Sequence, residues 1–364
     1  MKDLFTSEGV TAGHPDKVCD IISDAILDNA LTQDPDSKVA IEVTIKNDFI
    51  LIYGEINSKA QIEYEKIARD MIHQIGYTEN YQITTKIDKQ SPEINNAVVN
   101  QKDNTICAGD QGIMFGYACD ETNTYMPAPI WFANKLAYQL SLVQKKYDEL
   151  RPDGKTQVSV EYLNGHVKRI DSIVISTQHT KNISQQEIKN IILREVINKT
   201  INRSLLDDKT KYFINPSGSF ILGGSFGDSG TTGRKIVCDT YGGMGRIGGG
   251  CLSSKDPSKV DRSGAYYSRY VAKNIVANKL ANRCEIQVAY SIGKKYPVSL
   301  NIDTFGTEKV PLSMIYDYVE NNYNFEVNNI INELNLKRPI YLKTSCYGHF
   351  GRSEFPWEKV NPIE

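Results

Sequence analysis

The chain contains no uninterrupted apolar run near the roughly 20 residues that a membrane-crossing helix requires. It also lacks a surplus of either charge: 42 Lys and Arg face 44 Asp and Glu, a net charge of −2. That balance excludes a chain that binds nucleic acid across its whole surface and makes any positive site local. The opening residues, Met1-Lys2-Asp3-Leu4-Phe5-Thr6-Ser7-Glu8, hold no apolar leader core. Histidines number only five, and the seven cysteines (19, 107, 119, 238, 251, 284, 346) are odd in number and scattered. No metal-ligand spacing links the two, so neither zinc nor a disulfide framework is expected. Reduced thiols in a cytoplasm fit better. A P-loop is missing too: Gly227 to Gly233 is one residue too long, and Arg234-Lys235-Ile236 stands where Lys-Ser/Thr would be needed.

Glycine and cations are instead concentrated between Asn215 and Arg262. The stretch carries Gly223-Gly224, Gly227-Asp228-Ser229-Gly230, Gly233-Arg234-Lys235, Gly248-Gly249-Gly250 and Lys255-Asp256-Pro257-Ser258-Lys259-Val260-Asp261-Arg262. Glycine allows close backbone approach and positive φ, so successive N–H groups can aim at one anion. Arg234, Lys235, Arg246, Lys255, Lys259 and Arg262 add charge, and the whole reads as a polyphosphate cradle. Asp228 and Asp261 inside the basic run suggest oxygen ligands for Mg²⁺, which pairs one or two carboxylates with substrate phosphates.

Residues 14–31 read as a helix, with Pro15 at its first position and Gly13-His14-Pro15-Asp16-Lys17 at its anion-attracting start. Residues 39–56 alternate as a hairpin turning at Asn47-Asp48. That register sets Glu42 opposite Tyr53 and puts Glu55 on the same face, roughly 7–8 Å away diagonally. Ser58 is expected to cap a helix that Gly76 stops. The order recurs. Lys155 to Leu163 turns at Asn164-Gly165 and returns through Thr177, before a helix capped by Ser184 and Glu187. A third unit runs from Cys284 to Asp303, with helical patterns after Pro311. Three such units predict an α+β protein of three similar domains, 1–100, 105–225 and 226–364, each a mixed or antiparallel sheet with helices on one face. Residues 151–155 read as a turn, and the polar, Asn-rich residues 88–105 as a linker or mobile lid.

Taken together, Gly13-His14-Pro15-Asp16-Lys17, Gly109-Asp110-Gln111-Gly112, Gly233-Arg234-Lys235 and the run from Lys255 to Arg262 resemble methionine adenosyltransferase, also called S-adenosylmethionine synthetase. The likeness extends to Tyr347-Gly348-His349-Phe350-Gly351-Arg352. It implies synthesis of S-adenosylmethionine from ATP, methionine and water, with release of phosphate and diphosphate. It further implies three interleaved domains in a pseudo-threefold arrangement, and a homodimer or homotetramer with active sites between subunits. Mg²⁺, two ions per site, and K⁺ are implied as cofactors.

Carried over motif by motif, the resemblance assigns ATP to His14, Asp110, Asp153, Lys155, Ser219, Phe220, Asp228, Arg234, Lys235, Cys251 and Lys255. It assigns methionine to Glu55, Gln90, Asp228 and Lys259. Mg²⁺ falls to Asp16 and Asp261, and K⁺ to Glu42. His14, Lys155, Arg234, Lys235, Lys255 and Lys259 would stabilise the departing triphosphate. Other readings compatible with an ATP cradle are a phosphotransferase, which would release no diphosphate, and a nucleotide-binding regulator without turnover. Four positions depart from the family pattern: Ala12 replaces a usual Glu, Ser219 a usual Arg, and Cys251 with Ser254 stand for small residues.

An arginine at 219 would add a delocalised cation where serine offers one short hydroxyl. Ser219→Arg is therefore expected to lower the KM for ATP and leave that for methionine unchanged. Steady-state kinetics with each substrate varied in turn checks this, and an unchanged or raised ATP KM would reject it.

Overall fold

A computed structural model describes residues 2–91 and 105–363. Three sheets organise them. The first has strand order β4-β3-β2-β9, formed by Gln82–Lys89, Phe49–Asn57, Lys38–Lys46 and Gly230–Thr231. The second, β1-β6-β7-β8, is formed by Lys2–Val10, Leu150–Leu163, His166–His179 and Lys211–Ile214. The third, β11-β10-β5, is formed by Ser299–Asp303, Arg283–Tyr290 and Gly112–Cys119. Chain order and sheet membership are crossed: β1 pairs with β6, and β5 pairs with β10.

Helices cover these sheets. Against the first lie α1 (Pro15–Gln33) and α2 (Tyr64–Ile75). Against the second lie α3 (Ala128–Gln144) and α4 (Gln185–Ile191), the latter continuing through a π-helical stretch to Thr200. The third carries α5 (Val260–Ala277), followed in sequence by α6 (Leu312–Asn322) and α7 (Val327–Glu333). The core beneath the second sheet stands apart, whereas the first and third sheets share one continuous core through α1 and α5.

In α5 every residue except Asp261 and Ala277 is buried. Gly116 of β5 makes room for it, because a Cβ there would lie 2.0 Å from the Ser268 carbonyl carbon. The buried charges of α5 are paired as burial demands. Arg262 grips Asp24 of α1 with two nitrogens at 2.8 and 2.9 Å. Arg269 and Lys273 converge on Glu358 at 3.0 and 2.7 Å. Tyr266 stacks on Trp357 with centroids 3.7 Å apart.

All three expected strand pairs are present, with Asn47 at φ 50° and Asn164 at φ 53° in the turns of the first two. Glu42 faces Tyr53 in register, which places Glu55 on the same side. The Ser184–Glu187 capping box and the left-handed Gly76 stop are also observed. Two expectations fail. Ser58 does not cap α2, which starts after Glu63; the Ser58 hydroxyl instead bonds Ser37 and Asp34. Residues 151–155 are not a turn but the start of β6, because pairing with β1 and β7 overrides local turn chemistry, leaving only a register shift between Leu150 and Gly154. Of the stretch read as linker or lid, Asp88 and Lys89 end β4, and residues 92–104 lie outside the described residues.

Arg262→Met would leave the Asp24 carboxylate buried without its partner. It is expected to cost about 3–5 kcal/mol of stability, with part recovered in the Arg262→Met/Asp24→Leu double variant. Urea-unfolding midpoints of the three proteins measure this; equal midpoints for wild type and Arg262→Met would refute it.

Candidate functional site

The start of α1 and the basic segments that follow residue 223 meet in one place. Pro15 opens α1, and His14 caps it: its Nδ1 accepts the Asp16 N–H at 3.2 Å. The remaining ring proton of a neutral His14 then sits on Nε2. Burial, with Lys235 and Lys155 alongside, lowers this imidazole to about 3, so it is neutral at pH 7. Asp16 is 1% exposed and accepts from Thr231 N at 3.0 Å and from Lys235 Nζ, with Arg234 Nε at 3.6 Å. Burial works to raise this carboxyl, but the bonds from Lys235 and Thr231 outweigh it and hold it below its usual range.

Beyond Asp16, three more aspartates recur at four-residue intervals along α1, and each takes backbone N–H groups from a distant segment. Asp20 accepts from Gly233 N at 2.8 Å and Asp24 from Ser254 N at 3.0 Å. Asp28 accepts from Tyr341 and Leu342, both at 2.9 Å. These bonds fix where Arg234, Lys235 and Lys255 emerge. On the neighbouring strand β2, Thr44 pairs with Thr231 and Ala40 bridges Lys255, so both basic segments run along one strand edge. Burial pushes the Asp28 carboxyl up to about 6.

Lys255 Nζ bonds Asp261 Oδ2 at 2.6 Å, and Gly250 permits that carboxylate's position, since a Cβ there would lie 2.2 Å from the Asp261 carboxyl carbon. Ser254 Oγ donates to Glu42 Oε1 at 2.8 Å. Burial raises the Glu42 carboxyl against the lowering from Ser254 and Lys255. Asp153, 6% exposed, accepts Gly224 N at 2.8 Å through Oδ2, while its Oδ1 is buried without a hydrogen-bond partner among the described residues. Cys251 is partly buried beside Gly233, and burial pushes its thiol up to about 11, so it stays protonated.

The structure thus gathers His14, Asp16, Asp153, Lys155, Arg234 and Lys235, with Glu42, Cys251, Lys255 and Asp261 adjoining through Asp20 and Ser254. Asp228 is exposed and bonds its neighbour Ser229 N at 2.8 Å. Lys259 Nζ lies 3.3 Å from the buried Asp256. Asp110 and Ser219 are exposed, and Phe220 accepts the His179 N–H through its carbonyl while donating its own N–H to the His179 ring Nε2. Glu55 sits level with Asp88 across β3 and β4, and Gln90 is 7% exposed with its Oε1 lacking a hydrogen-bond partner among the described residues. Among the described residues no hydrogen bond or ion pair joins these last residues to the His14 cluster, although Asp228 lies near enough to Asp153 to help raise its carboxyl.

Two cations of the expected cradle, Arg246 and Arg262, and Lys17 of the α1 motif are engaged by carboxylates elsewhere. Lys17 is 1% exposed and spans Asp20 and Asp239. Arg262 is consumed by Asp24, and Arg246 by Glu285 at 2.7 Å. Sequence reasoning missed Asp20 and Asp24, although the spacing 16, 20, 24, 28 was a signal. Like charges four residues apart on a helix repel, so such a row requires partners.

Among the described residues no group of three or more His, Cys, Asp or Glu converges as a metal cage. Mg²⁺ needs none, because one or two carboxylates suffice when phosphate oxygens complete the shell. Asp16 and Asp261, each a single carboxylate beside cations, fit that pattern, and the Glu42 carboxylate with the Ser254 hydroxyl suits a cation held by oxygens.

The models of the N-terminal, central and C-terminal domains of S-adenosylmethionine synthetase match residues 2–103, 105–220 and 222–359. The chain is 52% identical over 372 residues to an S-adenosylmethionine synthase of Desulfosudis oleivorans, covering 98% of this chain and 96% of the relative. It is 50% identical to one of Syntrophobacter fumaroxidans (99% and 96% covered) and 49% identical to one of Clostridium botulinum (100% and 98%).

Burial pushes Asp153 up to about 6 from 3.8, against the Gly224 hydrogen bond. A carboxyl raised on folding favours the fold below its unfolded value and loses that contribution as pH rises through 6. Asp153→Asn is therefore expected to gain stability relative to wild type between pH 4 and pH 7, by up to about 3 kcal/mol. Denaturant midpoints of both proteins across that range check the sign; a gap independent of pH would contradict it.

Proposed function

The chain belongs to the S-adenosylmethionine synthetase family and makes S-adenosylmethionine from ATP and L-methionine; on that premise we propose how its residues divide the work. The observation that carries the proposal is the Asp16–Lys235–Arg234 group beside neutral His14 at the start of α1. A phosphotransferase is not favoured, and nor is a regulator without turnover.

The triphosphate of ATP lies along Lys155, Arg234, Lys235 and Lys255, with His14 donating from Nε2. Positive charge and the start of α1 attract the same anion. Phe220, Ser219, Asp110 and Cys251 border the nucleoside; Glu55, Gln90, Asp228 and Lys259 receive methionine. Asp16 and Asp261 would hold Mg²⁺, about two ions per site, and Glu42 would hold K⁺; bound Mg²⁺ supplies neutralising charge to the phosphates. The methionine sulfur needs no general base. Its lone pair bonds to the ribose C5′ as the C5′–O5′ bond breaks, and the electron pair leaves on triphosphate. The cations face the oxygen where that charge grows, which is where preorganised charge lowers a barrier. Water then cleaves the triphosphate to phosphate and diphosphate.

Because Asp110, Glu55 and Gln90 share no hydrogen bond or ion pair with the His14 cluster among the described residues, they are proposed to complete the site of a second copy in a homodimer or homotetramer. No helix among the described residues is long and apolar enough to cross a membrane. Cys19, Cys119, Cys238, Cys251, Cys284 and Cys346 form no disulfide among the described residues, which supports a reducing, cytoplasmic setting.

Lys235→Met is expected to lower kcat on the order of 10²–10³, the cost of losing one preorganised donor, while weakening ATP binding far less. Mass spectrometry of S-adenosylmethionine and diphosphate formed from ATP, methionine, Mg²⁺ and K⁺ gives the rate, and excess chelator should abolish it. Full turnover with chelator, or an unchanged kcat in the variant, would overturn the assignment.

A further inference from the structure

A second cavity, of about 780 Å³, lies where α2, α3 and residues 342–352 meet the chain just ahead of α1. None of the residues assigned to ATP, methionine or metal lines it. Its volume is that of a small-molecule site, about 300–1,000 Å³. One wall is apolar, from Met71, Ile75, Leu142 and Leu342. Another is aromatic: Tyr138, 52% exposed, meets Tyr347 edge to face with centroids 5.2 Å apart.

The rim is cationic. Arg151 is engaged by Glu79 and Arg352 by Glu354, but Lys145 and Lys343 are exposed and have no carboxylate partner among the described residues. Asp148 is the acidic group among the lining residues. Two uncompensated ammonium groups above apolar and aromatic walls suit one ligand chemistry.

We propose that this cavity binds an aromatic anion of roughly nucleotide size, at a site separate from the substrate cleft. Its floor is formed by Ala12, Gly13 and Pro152, and the residues that follow are His14 and Asp153 of the catalytic cluster. Thr11 Oγ1 donates to Pro152 O at 2.7 Å, and Tyr77 OH donates to Gly13 O at 2.6 Å. A single layer of hydrogen-bonded backbone therefore separates the two sites. A ligand seated on it biases the position of His14 and Asp153, and the coupling is reciprocal: ATP alters the affinity of the second site by the same factor.

The probe is 8-anilinonaphthalene-1-sulfonate, an aromatic sulfonate whose fluorescence rises on binding. It is titrated into the full-length protein, with and without saturating ATP, and into the Lys145→Glu/Lys343→Glu variant. Both lysines are exposed, so the variant should fold, and its thermal midpoint verifies this. The expected result is saturable binding that survives saturating ATP and weakens about tenfold on reversing the two charges. Titrating ATP with the probe present should shift ATP affinity in the wild type and not in the variant. Displacement of the probe by ATP in proportion to occupancy, or equal probe affinity in both proteins, would overturn the site; an ATP affinity indifferent to the probe would overturn the coupling.

Discussion

Four carboxylates on one face of α1 hold the functional half of the molecule in place. Asp16, Asp20, Asp24 and Asp28 would repel one another on an isolated helix. In the fold each is answered by N–H groups or cations from segments more than 200 residues away in sequence. The exchange serves both sides. Buried carboxylates gain the donors they need, and glycine-rich loops with little packing of their own gain fixed backbone positions. Because α1 also lies against β2, whose residues pair with both Thr231 and Lys255, the two basic segments are registered to the same strand and helix.

The electrostatics of the site follow from that frame. Lys235 rests on Asp16, and Lys255 on Asp261, so each cation is already charge-paired before any phosphate arrives. In the proposed division of roles, a triphosphate would draw these cations onto itself and free the two carboxylates to face a metal ion. Neutral His14 adds a donor without adding charge, and Asp153, raised by burial, holds Gly224 at the far side. Arg262 and Lys17, similar to the others in sequence, serve the frame through buried carboxylates, and the exposed Arg246 pairs with Glu285.

The periodic elements were legible in the sequence. Val39 to Ile45 alternate strictly and form β2; Pro15, the apolar spacing after it and the Ser184–Glu187 pair mark real helix starts. Other elements carried no local signature. Strand β1 exists through pairing with β6 some 150 residues on, and α5 is buried on nearly every side, so it lacks the polar face that betrays a surface helix. Pro152-Asp153-Gly154 has turn chemistry, yet lies in β6 because sheet pairing dominates. In the site, His14, Asp16, Arg234 and Lys235 were readable as motif residues that converge. Which cations point inward was not, because Lys17 and Arg262 differ from Lys235 and Arg234 only in the buried acids they meet.

Amide hydrogen exchange in an Asp20→Ala variant tests the helix-borne frame most directly. Gly233 N–H, which Asp20 holds at 2.8 Å, should exchange faster together with its neighbours Thr232 and Arg234. Ser254, Tyr341 and Leu342, held by Asp24 and Asp28, should keep their protection. Unaltered exchange at Gly233 would contradict the account, and so would loss of protection spread evenly over all these segments.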